Sequence, residues 1–191
     1  DISKSNILIR LNLNKGEYIV VSAHREENID LKNHFELLVD SLNGVAEEFK
    51  LPVIFSTHPR TKKRIEKAGI KFHPLIMNVA PLGFFDYVKL QQDSFIVLSD
   101  SGTISEESAI MGFTAISIRT STERPEAIDV GTIVLGGISK SEMIDSIHLA
   151  KKLEDKSVQL PTEYNILDCS SRIVKLIQSY TPIINKVIWN K

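Results

Sequence analysis

The sequence contains a single cysteine, Cys169, among its 191 residues. It therefore has no internal disulfide framework, and one unpaired thiol fits a protein of the reducing cytoplasm. Its 23 basic and 24 acidic side chains leave a net charge of -1. This balance argues against a nucleic-acid-binding surface and against a polybasic membrane anchor. No apolar run approaches the roughly 20 residues that span a bilayer, so we expect no nucleic-acid partner and no membrane partner.

Several site motifs are also missing. The sequence has no G-x-G-x-x-G, no Walker A loop and no G-x-S-x-G, which leaves a dinucleotide site, a P-loop and a nucleophile elbow unsupported. The five histidines lack metal-ligand spacing, and Cys169 stands alone. We therefore expect neither a cofactor nor a metal ion.

What the sequence does contain is short apolar runs that alternate with helical patterns. The length and the 42% hydrophobic content are typical of one domain with a good core. Strands are predicted at 18–23, 52–57, 75–79, 95–99, 114–118 and 132–135. Helices are predicted at 31–50, 60–68, 84–92, 104–111, 124–130, 141–153, 170–180 and 182–189. Continuous apolar strands between helices predict an α/β fold, a doubly wound parallel sheet with helices on both faces.

Polar residues follow nearly every predicted strand. In open parallel sheets, ligands bind beyond the carboxyl ends of the strands. Here those ends carry the stretches AHREEN, THPRT, APLGFFDY, DSGTISEE and RTSTERPE. We therefore expect imidazole, guanidinium, hydroxyl and carboxylate groups to gather on one edge of the sheet.

The stretch from Asp100 to Glu107 follows the fourth strand. Gly102 lets a ligand approach the backbone, the first helical turn offers N–H groups, and the hydroxyls of Ser101 and Thr103 can donate. A carboxylate one turn later suits sugar hydroxyls. The pattern indicates a ribose diphosphate, although a hydroxyl cap followed by first-turn acids would give the same sequence.

Two arginines and two histidines follow other strands. Arg119 and Arg124 could hold phosphate in bidentate geometry, or Arg124 could simply pair with Glu123 at the surface. His24 follows the first strand directly, which fits either a catalytic or a capping role. His58 precedes a proline, and a supporting role fits it better.

Taken together, the stretches SAHREEN, STHPRT, SDSGTISEESAIMGF and TERPEA resemble, in order and spacing, the non-hydrolysing UDP-N-acetylglucosamine 2-epimerase family. The resemblance covers nearly the whole chain but only the C-terminal half of a family member. It implies a two-domain, glycosyltransferase-B-like fold that binds UDP and a UDP-linked N-acetylhexosamine between its domains, in a homodimer. It also implies inversion at C2 by anti elimination of UDP and re-addition, without nicotinamide or metal.

The same resemblance implies roles for individual residues. His24 matches the family's catalytic histidine. The residues that match UDP-binding positions are Arg25, Tyr87, Ser101, Gly102, Thr103, Glu107 and Arg124. Within this set Glu107 takes the ribose hydroxyls, and Tyr87 stands where the family has a phenylalanine beside the uracil. The side chains expected to support these residues without touching the ligand are His58, Asp100, Glu106 and Arg119.

Three positions depart from the common pattern of the family. Glu26 replaces an arginine, Thr103 replaces a glycine, and Leu82 replaces a glutamine near the uracil. With the stretch PLGFFDY, these departures resemble enzymes that convert UDP-2-acetamido-2,6-dideoxy-L-talose to UDP-N-acetyl-L-fucosamine for capsule or O-antigen synthesis. An epimerase for UDP-N-acetylglucosamine and UDP-N-acetylmannosamine is the alternative.

The resemblance also predicts how the chain is divided. Residues 1–16 would be a residual interdomain segment, 17–169 the UDP-binding domain, and 170–191 helices that pack on an N-terminal domain. The chain opens at Asp1 without methionine, so we expect a fragment that is inactive by itself. Three other interpretations stay open: a glycosyltransferase of the same fold, a hydrolysing epimerase, and a non-catalytic nucleotide-sensing or dimerisation module.

Overall fold

The computed structural model of the chain describes residues 1–25, 32–57, 59–119, 124–154 and 160–191. Its centre is a sheet of six parallel strands. These are β1 (Ile19–Ser22), β2 (Val53–Ser56), β3 (Ile76–Val79), β4 (Ile96–Ser99), β5 (Ala115–Ile118) and β6 (Val134–Gly136). Their order in the sheet is β3-β2-β1-β4-β5-β6, which confirms the predicted doubly wound parallel fold.

Helices precede the first strand, connect the strands and follow the last one. They are α1 (Ile7–Arg10), α2 (Lys32–Phe49), α3 (Pro59–Ala68), α4 (Phe84–Gln92), α5 (Ile104–Met111), α6 (Pro125–Asp129), α7 (Lys140–Lys152) and α8 (Cys169–Val187), with 3-10 turns at Ile2–Lys4 and Thr162–Asn165. The central strands are buried because their side chains on both faces are apolar. Leu38 and Leu42 of α2 and Met143 of α7 pack in one core with them.

Local capping explains two boundaries that the sequence left imprecise. The structure assigns the cap of α7 to Ser139, whose hydroxyl accepts from the N–H of Glu142 while the Glu142 carboxylate accepts from the N–H of Ser139. The strand predicted from residue 132 begins only at Val134. The N–H and hydroxyl of Thr132 both donate to the carbonyl of Ala127, so Thr132 belongs to the turn that closes α6.

The terminal helix differs from the prediction. Two helices were expected, at 170–180 and 182–189, because proline usually interrupts a helix. The structure has one helix that contains Pro182. The hydroxyl of Thr181, the residue before the proline, donates to the carbonyl of Ile177 at 2.6 Å.

The chain forms two compact units, Asp1–Leu160 and Pro161–Lys191. The second unit contains α8, on which Ile173, Ile177, Tyr180 and Ile184 recur at helical spacing and are each at least 41% exposed. Among the described residues, no helix combines the length and the apolar character that crossing a membrane requires.

The N-terminal segment belongs to the first unit and packs on α4. Ile7 of α1 is fully buried. Ser5 donates to Asp86 Oδ1 at 2.6 Å, and Arg10 donates to Asp86 Oδ2 at 2.6 Å. The carboxylate of Asp86 therefore attaches the N-terminal segment to α4 through two residues, Ser5 and Arg10.

Candidate functional site

The strand order places a crevice at one edge of the sheet. β1 and β4 are neighbours in the centre, and the chain winds from β1 towards β2 but from β4 towards β5. The connections that leave these two strands diverge, and ligands of doubly wound folds bind at such a switch point. His24 and Arg25 follow β1 here, and the turn from Asp100 to Thr103 follows β4.

A buried carboxylate joins the two strand ends. Asp100 is fully buried and accepts hydrogen bonds from the backbone N–H of His24, at 3.1 and 3.0 Å, and of Arg25, at 2.9 Å. Its own N–H donates to the carbonyl of Ser22 at 3.2 Å. Asp100 Oδ1 also lies 3.2 Å from Nδ1 of the His24 ring. Because a carboxylate is an acceptor, Nδ1 is the ring nitrogen that donates in this contact, and Nε2 is not engaged by Asp100.

Two guanidinium groups flank the turn at Gly102. A methyl group added at Gly102 would lie 3.8 Å from Arg25 Nη2 and 3.9 Å from Arg119 Nη1. Arg119 is 7% exposed. In the described part of the chain, the N–H groups of Gly102 and Thr103 have no acceptor. The turn therefore combines two backbone donors with two cations.

Glu107 lies one turn into α5, and both of its carboxylate oxygens are held. Thr103 Oγ1 donates to Oε1 at 2.7 Å, and Gln91 Nε2 donates to Oε2 at 3.0 Å. Ser101 Oγ lies 3.0 Å from Thr103 Oγ1. The hydroxyl of Thr103 makes no capping bond to the first turn of α5, so its bond to Glu107 replaces the simple helix cap that the sequence also allowed.

Arg124 is the N-cap residue of α6 and pairs with a neighbouring acid. Its Nε lies 2.5 Å from Oε1 of Glu106, and both side chains are about one-third exposed. The alternative partner considered from the sequence, Glu123, lies outside the described residues. The pair joins the start of α6 to α5, the helix that carries Glu107.

Tyr87 points its hydroxyl to the end of β1. Its phenol lies near the hydroxyl of Ser22. Burial raises the pKa of the Tyr87 phenol to about 12; the nearby Ser22 opposes this rise, and the negative charges of Glu107 and Asp100 add to it. The ring and hydroxyl of Tyr87 thus lie beside the acids of the crevice.

Comparison with known proteins identifies the family. The family model described as UDP-N-acetylglucosamine 2-epimerase matches residues 1–178. The chain belongs to this family. A curated relative, the UDP-N-acetylglucosamine 2-epimerase of Methanocaldococcus jannaschii, is 32% identical over 137 residues, which are 70% of this chain and 37% of the relative.

Another family relative is named for a different sugar. The UDP-2,3-diacetamido-2,3-dideoxy-D-glucuronate 2-epimerase of Pseudomonas aeruginosa is 31% identical over 140 residues, which are 72% of this chain and 39% of the relative. The chain thus spans well under half the length of these two curated relatives. Sequence identity of 31–32% assigns the chain to the family but does not identify the sugar of its substrate.

Solved structures match the chain over nearly all or all of its length. The UDP-N-acetylglucosamine 2-epimerase of Rickettsia bellii superposes with a TM-score of 0.81 at 33% identity, covering 100% of this chain and 52% of that one. The M. jannaschii enzyme, in complex with UDP-GlcNAc and UDP, superposes with a TM-score of 0.79 at 28% identity, covering 93% of this chain and 50% of that one. This chain therefore has the fold of about half of a family enzyme.

The structure brings most of the residues expected at the site to one edge of the sheet. The contacts above link nine of these residues: His24, Arg25, Tyr87, Asp100, Ser101, Gly102, Thr103, Glu107 and Arg119. The pair of Glu106 and Arg124 adjoins them through α5. His58 lies outside the described residues. Gln91, which contacts Glu107, was missed by the sequence analysis. Its spacing of four residues from Tyr87, which places both on one face of α4, was the available signal.

Proposed function

We propose that this chain is the UDP-binding half of a UDP-N-acetylhexosamine 2-epimerase. The observation that carries the proposal is the meeting, at the β1–β4 crevice, of His24 held by Asp100, a turn flanked by two guanidinium groups, and the fixed carboxylate of Glu107. Each group suits one part of a UDP-sugar. Family membership supports the same conclusion.

The diphosphate would bind at the turn after β4. The backbone N–H groups of Gly102 and Thr103 would donate to the phosphate oxygens. They lie at the start of α5, where the helix dipole favours negative charge. Arg25 and Arg119 add cations on either side. Arg124, oriented by Glu106, would supply a further contact with UDP.

The nucleoside would extend towards α4 and α5. A carboxylate accepts hydrogen bonds from a vicinal diol, so Glu107 would take the ribose hydroxyls. Tyr87 offers an aromatic ring on the same side, where it would lie against the uracil. This orientation places the sugar on the His24 side of the diphosphate.

His24 would assist the departure and return of UDP. In the elimination, a base removes the proton from C2 of the hexosamine, the C1–O bond to UDP breaks, and a 2-acetamidoglycal forms. Re-addition of UDP at C1 with delivery of a proton to the other face of C2 gives the epimer. Asp100 would hold the His24 ring through Nδ1 and leave Nε2 for the diphosphate, where charge develops as the bond breaks. We expect the groups that move the C2 proton in a second domain.

For the sugar, we propose UDP-2-acetamido-2,6-dideoxy-L-talose, converted to UDP-N-acetyl-L-fucosamine for capsule or O-antigen synthesis. The departures Glu26, Leu82 and Thr103 support this choice. The contact of Thr103 with Glu107 gives one of them a structural consequence, because a glycine at this position could not donate to the carboxylate.

We also propose that the chain works as part of a larger, homodimeric enzyme. Residues 1–16 would link it to an N-terminal domain, 17–169 would bind UDP, and the apolar face of α8 within 170–191 would pack on that domain. The exposed side chains of α8 support this arrangement, since an apolar helical face is stabilised by a partner. Alone, the chain should bind UDP and epimerise nothing.

The proposal is tested by titrating UDP and uridine into the chain by calorimetry. We expect UDP to bind more tightly than uridine because the diphosphate contacts the turn and the arginines. Arg124→Ala should weaken UDP binding by about tenfold, the range for one charge-assisted hydrogen bond, and leave uridine binding unchanged.

Arg172→Ala is the matched control. Arg172 is an exposed arginine of α8 that pairs with Asp168, and its loss should alter neither titration. A folded chain that binds no UDP, or that binds UDP no better than uridine, would contradict the proposed function.

A further inference from the structure

We propose that Gln91 is a positioning residue that holds Glu107 in the orientation that accepts the ribose diol. The inference rests on the proposed UDP site and names a residue that sets how the nucleoside is recognised there. Gln91 lies in the last turn of α4 and is 1% exposed. Its amide nitrogen donates to Glu107 Oε2 at 3.0 Å.

The contacts on Glu107 orient its carboxylate and leave part of its capacity to accept hydrogen bonds unused. Thr103 donates to Oε1 and Gln91 donates to Oε2, while the backbone N–H of Glu107 donates to the carbonyl of Thr103 at 2.9 Å. A carboxylate has about four acceptor positions, so one position on each oxygen remains for a ligand hydroxyl. The two donors, one per oxygen, define the plane in which those positions lie.

Both donors are neutral, so neither of them sets a positive charge against Glu107. A lysine or arginine in place of Gln91 would orient the carboxylate equally well but would neutralise it. A charged acceptor forms stronger hydrogen bonds with hydroxyl groups than a neutral one. The amide therefore orients Glu107 while preserving the charge that a diol would meet.

Gln91 is costly for the stability of the fold, which argues against a purely structural role. Its amide oxygen is buried and has no hydrogen-bond partner within the described residues. A buried acceptor without a donor is unfavourable, and an apolar side chain of the same length would avoid that cost. Such costs are characteristic of functional sites, where a residue is retained for what it orients.

The inference also follows from pre-organisation. A glutamate side chain has several rotatable bonds, and ordering it when a ligand binds lowers affinity. Gln91 and Thr103 order Glu107 before the ligand arrives. Removing the Gln91 donor should therefore weaken binding only of ligands that carry the ribose hydroxyls.

The test compares UDP with 2′,3′-dideoxy-UDP, which lacks the diol, on the full chain by calorimetry. Gln91→Met keeps the length and helix preference of the side chain and removes the amide. We expect Gln91→Met to weaken UDP binding by about tenfold and to leave the binding of dideoxy-UDP unchanged, so that discrimination between the two ligands falls. Gln92→Met, at the adjacent half-buried glutamine, is the matched control and should preserve the discrimination.

Each outcome decides a different point. If the wild-type chain binds UDP and Gln91→Met leaves both affinities at their wild-type values, the positioning role is wrong and the proposed function stands. If Gln91→Met weakens both ligands equally, Gln91 only supports the packing of α4, and the inference is likewise wrong. If the folded wild-type chain binds neither ligand, the proposed function fails and this inference fails with it.

Discussion

Within the described residues, Asp86 of α4 and Glu107 of α5 each accept hydrogen bonds from two side chains, but the chemistry of those donors differs. Asp86 accepts from the hydroxyl of Ser5 and from the guanidinium of Arg10, one on each oxygen. Glu107 accepts from the hydroxyl of Thr103 and from an amide of α4, again one on each oxygen. The difference is the charge of the nitrogen donor.

At Asp86 the charge is cancelled. The hydrogen bond from Ser5 and then that from Arg10 hold the pKa of this carboxyl below its ordinary value of 3.8. Both donors come from the N-terminal segment, so the carboxylate ties that segment to α4. Nothing in this arrangement leaves a charge for a ligand to meet, and its effect is to hold two parts of the fold together.

At Glu107 the carboxylate is oriented by hydrogen bonds without an ion pair. In the part of the chain that the structure describes, its donors are neutral. A third acid, Asp100, lies deeper between β1 and β4 and organises the loop that carries His24. Of Asp86 and Glu107, the ion-paired carboxylate joins two parts of the fold, and the one with neutral donors is the one that we propose binds the ribose diol.

The largest expected effect is a loss of stability when Asp100, the buried acid of the β1–β4 crevice, is removed. Asp100→Ala takes the acceptor from the N–H groups of His24 and Arg25 and should lower the free energy of unfolding by about 3 kcal/mol, the loss expected when buried donors become unsatisfied. Denaturant unfolding followed by circular dichroism measures this.

Asp86→Ala is the comparison variant for Asp100→Ala. Its side chain is one-quarter exposed, whereas that of Asp100 is fully buried, so its loss should be clearly smaller. The contacts of Asp86 with Ser5 and Arg10 are called the tether below. Equal losses of unfolding free energy from the two variants would show that burial does not separate these acids, and the comparison between the tether and the site would not hold.

Much of the fold could be predicted from the sequence because its signals are local. The β-branched runs that became β1, β2 and β4 are continuous and apolar, which is how strands covered on both faces read. The polar stretches after them were expected on one edge because parallel strands end together. Pro182 was the local signal that misled, since the helix continues through it.

The partners within the site could not be predicted in the same way. Gln91 and Glu107 are separated by 16 residues, and Arg124 and Glu106 by 18. Which side chains meet across such distances depends on how α4, α5 and α6 pack, and no spacing rule within one element describes that. The resemblance to a family supplied residue types for the ligand contacts, but Gln91 was outside its motifs.

A second, smaller effect should separate the two carboxylates by ligand binding. Glu107→Gln removes the charge that the ribose diol would meet and should weaken UDP and uridine by the same factor, about tenfold. Asp86→Asn, which alters the tether, should leave both affinities at the wild-type value. Calorimetric titration measures both. A weakened UDP titration in Asp86→Asn, or an unchanged one in Glu107→Gln, would reverse the assignment of roles.

The smallest effect is the dependence of stability on pH at the tether. Because the folded pKa of Asp86 lies below 3.8, its contribution to stability is present above pH 3.8 and is lost as the pH falls through the folded pKa. Asp86→Asn should therefore melt at a lower temperature than the wild type at neutral pH, and the difference should close in acid. Thermal melts of both proteins across this range, with Asp145→Asn on the exposed face of α7 as control, measure it. A difference that stays constant into acid would mean that the charge of Asp86 contributes nothing to the tether, and its resemblance to Glu107 would then extend to chemistry as well as geometry.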